Sequence, residues 1–368
     1  EPFYGGSHKA FLDGLAEHSS HDIVSLTLPE GEWRRRMRRG AQELLQPARN
    51  LSGDFDCLIA SDMLDLPAFL AFTRPRFERT PVAVYFHENQ MTYPRLKGTK
   101  FNSWFGQINY HSALAADSVM FNSEFHRRDF VAALRSLAAG PNNWLLDDGI
   151  AQVETKSGVL PIGVDLAWIP SPQGNRENTR PRTILWNHRW EFDKAPELFL
   201  RALRAMAEKG IPFELIIAGE PGDNPSDAML RLPEEFGERV RHFGFAPSRA
   251  DYARLLAASD IAISTTRHEF FGIGMVEAMS AGCIPLAPAR YNYPALVPES
   301  LHSSLLWQSE ADLIAKLERL LVEDLPGSDA TVAAAQRFTW ENVGPLWDHF
   351  ISRLSHGDYA SVSGFDAV

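Results

Sequence analysis

The stretch Ser264-Thr265-Thr266-Arg267-His268-Glu269-Phe270-Phe271-Gly272-Ile273-Gly274-Met275-Val276-Glu277-Ala278-Met279 reads as a strand end, a glycine loop and the first turns of a helix. Ile261 and Ile263 lie in a short apolar run before it. Gly272 and Gly274 let the backbone approach a ligand closely, and Met275 to Ala281 is compact and helix-compatible. Two carboxylates bracket the turn. Glu269 precedes the glycines, whereas Glu277 sits inside an otherwise apolar helix, where an unpaired carboxylate is costly. It therefore needs a ligand or a salt bridge. A helix amino terminus behind a glycine loop offers free N–H donors and the positive end of the helix dipole, a ready anion site.

Outward from this stretch, helical and strand patterns alternate, which favours parallel α/β sheets. Ser7 is placed to cap a helix to about Glu17, after a Gly5-Gly6 loop, with Phe11, Leu12 and Leu15 on one face. Ile23 to Leu28, Asp54 to Ala60 (turn, then strand), Pro81 to Phe86 and Ser118 to Phe121 read as strands, the third ending at His87-Glu88-Asn89. Residues 139 to 158 are polar and irregular. Val159-Leu160-Pro161-Ile162-Gly163-Val164-Asp165 reads as a last strand leaving a first domain, and Pro170 to Asn175 as a linker. A second set follows, with strands at Thr183 to Asn187, Phe213 to Ala218, Val240 to Phe243, Asp260 to Ser264 and Cys283 to Ala287. Pro196 opens a helix with Leu198, Phe199, Ala202, Leu203 and Met206 on one face. The expected division is 1–165, a linker at 166–182, a second domain at 183–335 and a tail at 336–368 with an amphipathic helix to about Leu354.

A chain of 368 residues suits two domains of roughly 150 to 200 residues each. With 45% hydrophobic and 23% charged residues, and no apolar run long enough for a membrane span, a soluble protein is expected. The first residues carry no secretory pattern and no initiator Met, so the numbering is expected to start just after an opening strand of a longer chain. Cys57 and Cys283 lie far apart in apolar runs, which argues against a disulfide framework and for the cytoplasm. The net charge of −11 counts against a polyanionic partner, yet residues 1–165 hold only −3 of it, with 17 Lys and Arg against 20 Asp and Glu.

Several side chains carry candidate chemistry. Arg189 and Lys194, in the loop after the first strand of the second domain, can converge on a diphosphate as a fork and a point charge, although two cations alone read more simply as a solvated loop pair. Glu277 can hydrogen-bond a ribose diol, and Glu269 a sugar hydroxyl beside a phosphate on the glycine loop. The alternative for Glu277 is a buried ion pair with an arginine. His87 ends a buried-looking strand, where ligands of open α/β sheets tend to bind, and reads equally as a histidine hydrogen-bonded at a domain edge. His87-Glu88 is no zinc-protease motif, because position 91 is Met, and Asp54-Phe55-Asp56 is read as a structural turn. Arg34, Arg35, Arg36, Arg38 and Arg39 form a basic block that is either a solvated helix face or an electrostatic contact for phosphates.

Together the Glu269-x7-Glu277 spacing, Arg189 with Lys194, Val159 to Asp165 and Phe338-Thr339-Trp340-Glu341-Asn342-Val343 resemble a retaining GT-B glycosyltransferase of the family 4 type over nearly the whole chain. More narrowly, Glu1-Pro2-Phe3-Tyr4-Gly5-Gly6-Ser7-His8-Lys9, Tyr85-Phe86-His87-Glu88-Asn89-Gln90, Trp186 to Lys194 and Arg267 to Gly272 resemble the tRNA-queuosine α-mannosyltransferase family. The resemblance implies two Rossmann-like domains, a C-terminal helix returning to the first, and transfer of mannose from GDP-mannose, with retention, to queuosine in the anticodon of an aspartate tRNA. It implies that Arg189 and Lys194 neutralise the diphosphate and that Glu277 holds the ribose. Glu269 with the backbone of Phe271, Gly272, Ile273 and Gly274 would hold the sugar. It also implies that His87 reaches the donor sugar from the other domain, that Gly5 and Gly6 leave room near the diphosphate, and that the base lies near Gly244 and Phe245. No metal is required on this account. The chain departs from the eukaryotic pattern by lacking a long insertion near 166–182 and by carrying Arg34 to Arg39, so a lipid or small-glycoside acceptor stays open. A non-catalytic protein that binds nucleotide sugar or RNA also stays open.

Overall fold

The computed structural model describes residues 1–94, 103–141, 143–171, 181–222 and 225–359. The core of the expected linker, 172–180, lies outside them. The chain forms two compact units. The first is made of Glu1–Tyr93, residues up to Val164, and the C-terminal stretch from Trp340; the second runs from Asp165 to Thr339.

In the first unit, strands β1 (Leu58–Ser61), β2 (Val82–Phe86), β3 (Ser118–Phe121) and β4 (Ser157–Val159) form a parallel sheet in sequence order. β2 and β3 are buried along their whole length, as strands covered by helices on both faces must be. Phe86, Phe121 and Phe130 stack in that core with Val84 and Val119. Three expectations change here. The helix starts at Gly6, with Gly5 as its extended cap, so Ser7 lies inside the first turn. Ile23 to Leu28 is extended but forms no sheet strand; its ladder is short, with Tyr4 N–H donating to Leu28 O and one bridge from Tyr4 to Pro29. The last strand is Ser157–Val159, preceded by a helix at Gly149–Thr155 within the stretch expected to be irregular.

The apolar run Leu160 to Val164 is spent on packing rather than on a ladder. Trp347 donates its indole N–H to Pro161 O at 3.1 Å, and a Cβ on Gly163 would sit 2.3 Å from the Trp340 ring. A Cβ on Gly14 would strike the same indole at 2.2 Å. The terminal helix Trp340–Ser355 is thus seated between two glycines of the first unit, and Asp348 accepts hydrogen bonds from the Ser19 hydroxyl and the Ser20 N–H.

In the second unit the order is β10-β9-β8-β5-β6-β7, all parallel, with β5 (Arg182–Trp186), β6 (Phe213–Ala218), β7 (Val240–Gly244), β8 (Ile261–Ile263), β9 (Ile284–Pro288) and β10 (Leu306–Trp307). The order reverses at β5 and β8, a topological switch point whose carboxyl ends favour ligand binding. Both strands lead into the loops that carry Arg189, Lys194 and Glu269. Among the described residues no helix is long and apolar enough to cross a membrane.

Candidate functional site

The turn bearing Lys194 and the loop bearing Glu269 are laced together. Thr265 donates its hydroxyl to Lys194 O at 2.9 Å, Thr266 donates to Asp193 O at 3.1 Å, and Arg267 N–H donates to Asp193 O at 2.6 Å. A 3-10 turn at Phe192–Lys194 passes through Ala195, at φ 47, straight into the helix Pro196–Glu208. A left-handed residue other than glycine is uncommon and holds only where its surroundings over-determine it. The Lys194 ammonium lies 3.1 Å from Asp193 and 3.7 Å from Glu269. Burial alone would lower its pKa, but the Glu269 and Asp193 charges outweigh burial and hold it above the ordinary lysine value. Arg189 differs from its partner. Its side chain is 62% exposed and 3.4 Å from Glu191, and its charge reaches Lys194. Sequence reasoning missed Asp193, although it lies beside Lys194 and is 2% exposed. It also missed His188 and His268, which burial and Lys194 push down to about 3 and about 4, leaving both neutral.

Gly272 has φ +103, and a Cβ there would meet Leu296 at 3.0 Å, so both backbone and space demand glycine. Its carbonyl accepts the N–H groups of Met275 and Val276. The helix Ile273–Ser280 therefore opens with the N–H groups of Ile273 and Gly274 lacking an acceptor among the described residues. Asn292 donates to Phe271 O at 2.8 Å and fixes the loop behind them. Gly274 also keeps room for a neighbouring side chain. A Cβ there would lie 3.1 Å from the Asn187 amide, which donates to Gly274 O and to the Tyr252 hydroxyl, both at 2.8 Å. Tyr252 in turn donates to Glu277 at 3.2 Å. The half-buried carboxylate is thus met by a tyrosine rather than by an arginine, and its partial removal from water pushes it up to about 7. At the end of β7, Gly244 has φ +130 with open space around it, and Phe245 is 67% exposed.

The first unit holds His87 at the end of β2. Its N–H donates to Asp62 at 2.8 Å, its carbonyl accepts from Asn122 at 2.8 Å, and its ring is enclosed by Phe11, Tyr85 and His8, the last at 4.4 Å between centroids. Burial and the charge of His8 hold its pKa well below the ordinary histidine value. His8 itself would be lowered by burial, but the Glu1 carboxylate at 3.0 Å raises it to about 9. Among the described residues, Glu1, His8 and His87 form a group whose ligand-type atoms all lie within 4.8 Å of one another. Gly5 is required by its own chain, since a Cβ would meet Glu30 at 2.2 Å, whereas Gly6 at φ +50 faces open space. The basic block forms the helix Trp33–Glu43, capped by Glu32. Arg35, Arg36 and Arg39 share Glu43, with Arg36 at 2.8 Å and only 13% exposed, while Arg34 lies over Trp33 and Arg38 over Phe105. Arg36 is an internal anchor; Arg34, Arg35, Arg38 and Arg39 are exposed.

Two parallel sheets with helices, the second with a cation, carboxylates and a helix amino terminus at its switch point, fit the class of GT-B glycosyltransferases. Solved structures agree on the fold: sucrose-phosphate synthase from Thermosynechococcus elongatus superposes with a TM-score of 0.67 at 16% identity, over 89% of this chain and 80% of that one. Anabaena HepE, in complex with UDP and glucose, gives 0.64 at 17% identity, over 96% and 97%. Residues 170–337 match the group 1 glycosyl transferase family, and residues 1–164 match the N-terminal family of tRNA-queuosine alpha-mannosyltransferase. The tRNA-queuosine alpha-mannosyltransferase of Drosophila melanogaster is 33% identical over 83% of this chain and 82% of its own length. The chain belongs to the tRNA-queuosine alpha-mannosyltransferase family. A more distant relative, 28% identical over 64% of this chain and 62% of its own, is the GDP-mannose:cellobiosyl-diphosphopolyprenol alpha-mannosyltransferase of Xanthomonas oryzae pv. oryzae.

Proposed function

We propose that the chain transfers mannose, with retention, from GDP-mannose to the cyclopentenediol of queuosine in the anticodon of an aspartate tRNA. The observation that carries this is the match of residues 1–164 to the N-terminal family of the queuosine enzymes, since acceptor recognition is the work of that half in GT-B enzymes. The Xanthomonas relative, named for a GDP-mannose donor and a lipid-linked acceptor, has lower identity over a shorter span. It supports the donor more than the acceptor.

In this reading Lys194, Arg189 and the N–H groups of Ile273 and Gly274 stabilise the diphosphate, Glu277 holds the ribose, Glu269 takes a hydroxyl of the sugar, and Gly244 with Phe245 borders the base. The bond from the anomeric carbon to the diphosphate oxygen breaks as the bond to the acceptor hydroxyl forms on the same face. The hydroxyl proton passes to the leaving oxygen. The protein supplies position and preorganised charge where charge develops, and no metal is called for. Arg34, Arg35 and Arg39 face tRNA phosphates.

The test is incubation with GDP-mannose and queuosine-containing tRNA, digestion, and mass spectrometry. Queuosine carrying one added hexose is expected. Hexose found only on a lipid or small glycoside would replace the acceptor, and intact GDP-mannose in every reaction would make the chain a binding protein.

A further inference from the structure

We propose that Tyr252 and Asn187 are positioning residues that aim the Glu277 carboxylate at the donor ribose and set the pH range over which the donor binds. This rests on Glu277 holding the ribose, as proposed above. Asn187 leaves the end of β5 in the same loop as Arg189 and Lys194, and its amide is shared between Gly274 O and the Tyr252 hydroxyl. With its acceptor side filled by Asn187, Tyr252 points its proton at Glu277. The chain of donors joins the loop that carries the cations to the helix that carries the carboxylate. Tyr252 is itself held from behind. Trp168 stacks on it at 5.7 Å, and Arg249, paired with Asp165 at 2.9 Å, lies over Trp168.

The charged and titratable groups facing Glu277 are Tyr252, whose hydrogen bond favours the anion, Arg249, which also favours it, and Asp165, which opposes it. None offsets burial in full. A ribose diol donates two hydrogen bonds to a carboxylate, so the donor selects the ionised form, and binding weakens as pH falls through the carboxylate's pKa. Removing the tyrosine hydroxyl removes a group that favours the anion, so the midpoint moves to higher pH.

The experiment measures GDP-mannose affinity of the full chain by calorimetry between about pH 6 and about pH 9. Wild type should weaken several-fold toward the acidic end, Glu277→Gln should bind weakly and without that slope, and Tyr252→Phe should follow the wild-type curve displaced to higher pH. Asn187→Ala should shift it in the same direction. A Tyr252→Phe midpoint equal to wild type, or a wild-type slope retained in Glu277→Gln, overturns the proposal. Absence of GDP-mannose binding in wild type at every pH would strike the donor assignment instead. The tyrosine–carboxylate coupling is then read without ligand. A carboxylate raised from the ordinary glutamate value of 4.5 to about 7 contributes stability at low pH that is lost as pH rises through its folded-state pKa. Melting curves of wild type should show that loss, Glu277→Gln should lack it, and Tyr252→Phe should extend it to higher pH; a Tyr252→Phe curve identical to wild type refutes the coupling.

Discussion

Lys194 carries two anions already, Asp193 at 3.1 Å and Glu269 at 3.7 Å, so a diphosphate arriving there finds a cation that its neighbours keep charged. In the proposed mechanism Glu269 exchanges lysine for sugar, releasing the cation as it takes the substrate. Lys194→Ala should therefore lower kcat/KM for mannose transfer by about 100-fold or more, the scale of losing one preorganised group at a developing charge, and Glu269→Ala should lower it comparably. Both should keep wild-type circular dichroism; full activity in the two purified variants would remove the site assignment. The position of Arg189, Lys194 and Glu269 in loops after apolar strands was legible in the sequence, because continuous apolar runs mark where such strands end. The partners were not. Tyr252 and Glu277 are 25 positions apart, on separate helices, and no periodicity connects them. Nor does a sequence show the Asn187 amide that Gly274 makes room for, from 87 positions away.

At the scale of elements, fully apolar runs located most strands, since a parallel sheet covered on both faces needs continuous hydrophobicity. The same rule misplaced the strand at Val159 to Asp165, because burial against the terminal helix produces the same run. Gly163 and Gly14 leave one slot for the Trp340 indole, and backbone on both sides limits its escape. Gly163→Ala should cost about 1–3 kcal/mol by overpacking, lowering the melting temperature of the purified chain by several degrees. An unchanged melting curve would mean that the tail helix shifts freely. The helix Trp33–Glu43 divides by the same reasoning. Arg34, Arg35 and Arg39 replaced together by glutamine should weaken tRNA binding and flatten its dependence on salt, by about 0.9 in the log–log slope for each duplex phosphate no longer neutralised. Arg36→Gln should lower stability instead. A salt slope unmoved by the triple change would make the block a solvated face paired to Glu43.

For the whole molecule the question is where the positive charge for catalysis comes from in a chain of net charge −11. In the proposed site the second unit supplies Lys194, Arg189 and a helix terminus, and the carboxylates there are engaged, Glu269 with Lys194 and Glu277 with Tyr252. Among the described residues of the first unit, the group with ligand-type atoms close together, Glu1, His8 and His87, is organised as an ion pair beside a neutral ring. A metal would have to strip a proton from His8, raised to about 9, and break its bond to Glu1, so neutral pH works against binding. Mannose transfer should accordingly be unaffected by chelator, with kcat and KM for GDP-mannose the same before and after exhaustive dialysis against EDTA. Added zinc should have no stimulating effect. Activity that disappears on chelation and returns with a divalent cation would overturn the charge assignment to Lys194, Arg189 and the Ile273–Gly274 backbone, and would direct attention to the histidines of the first unit.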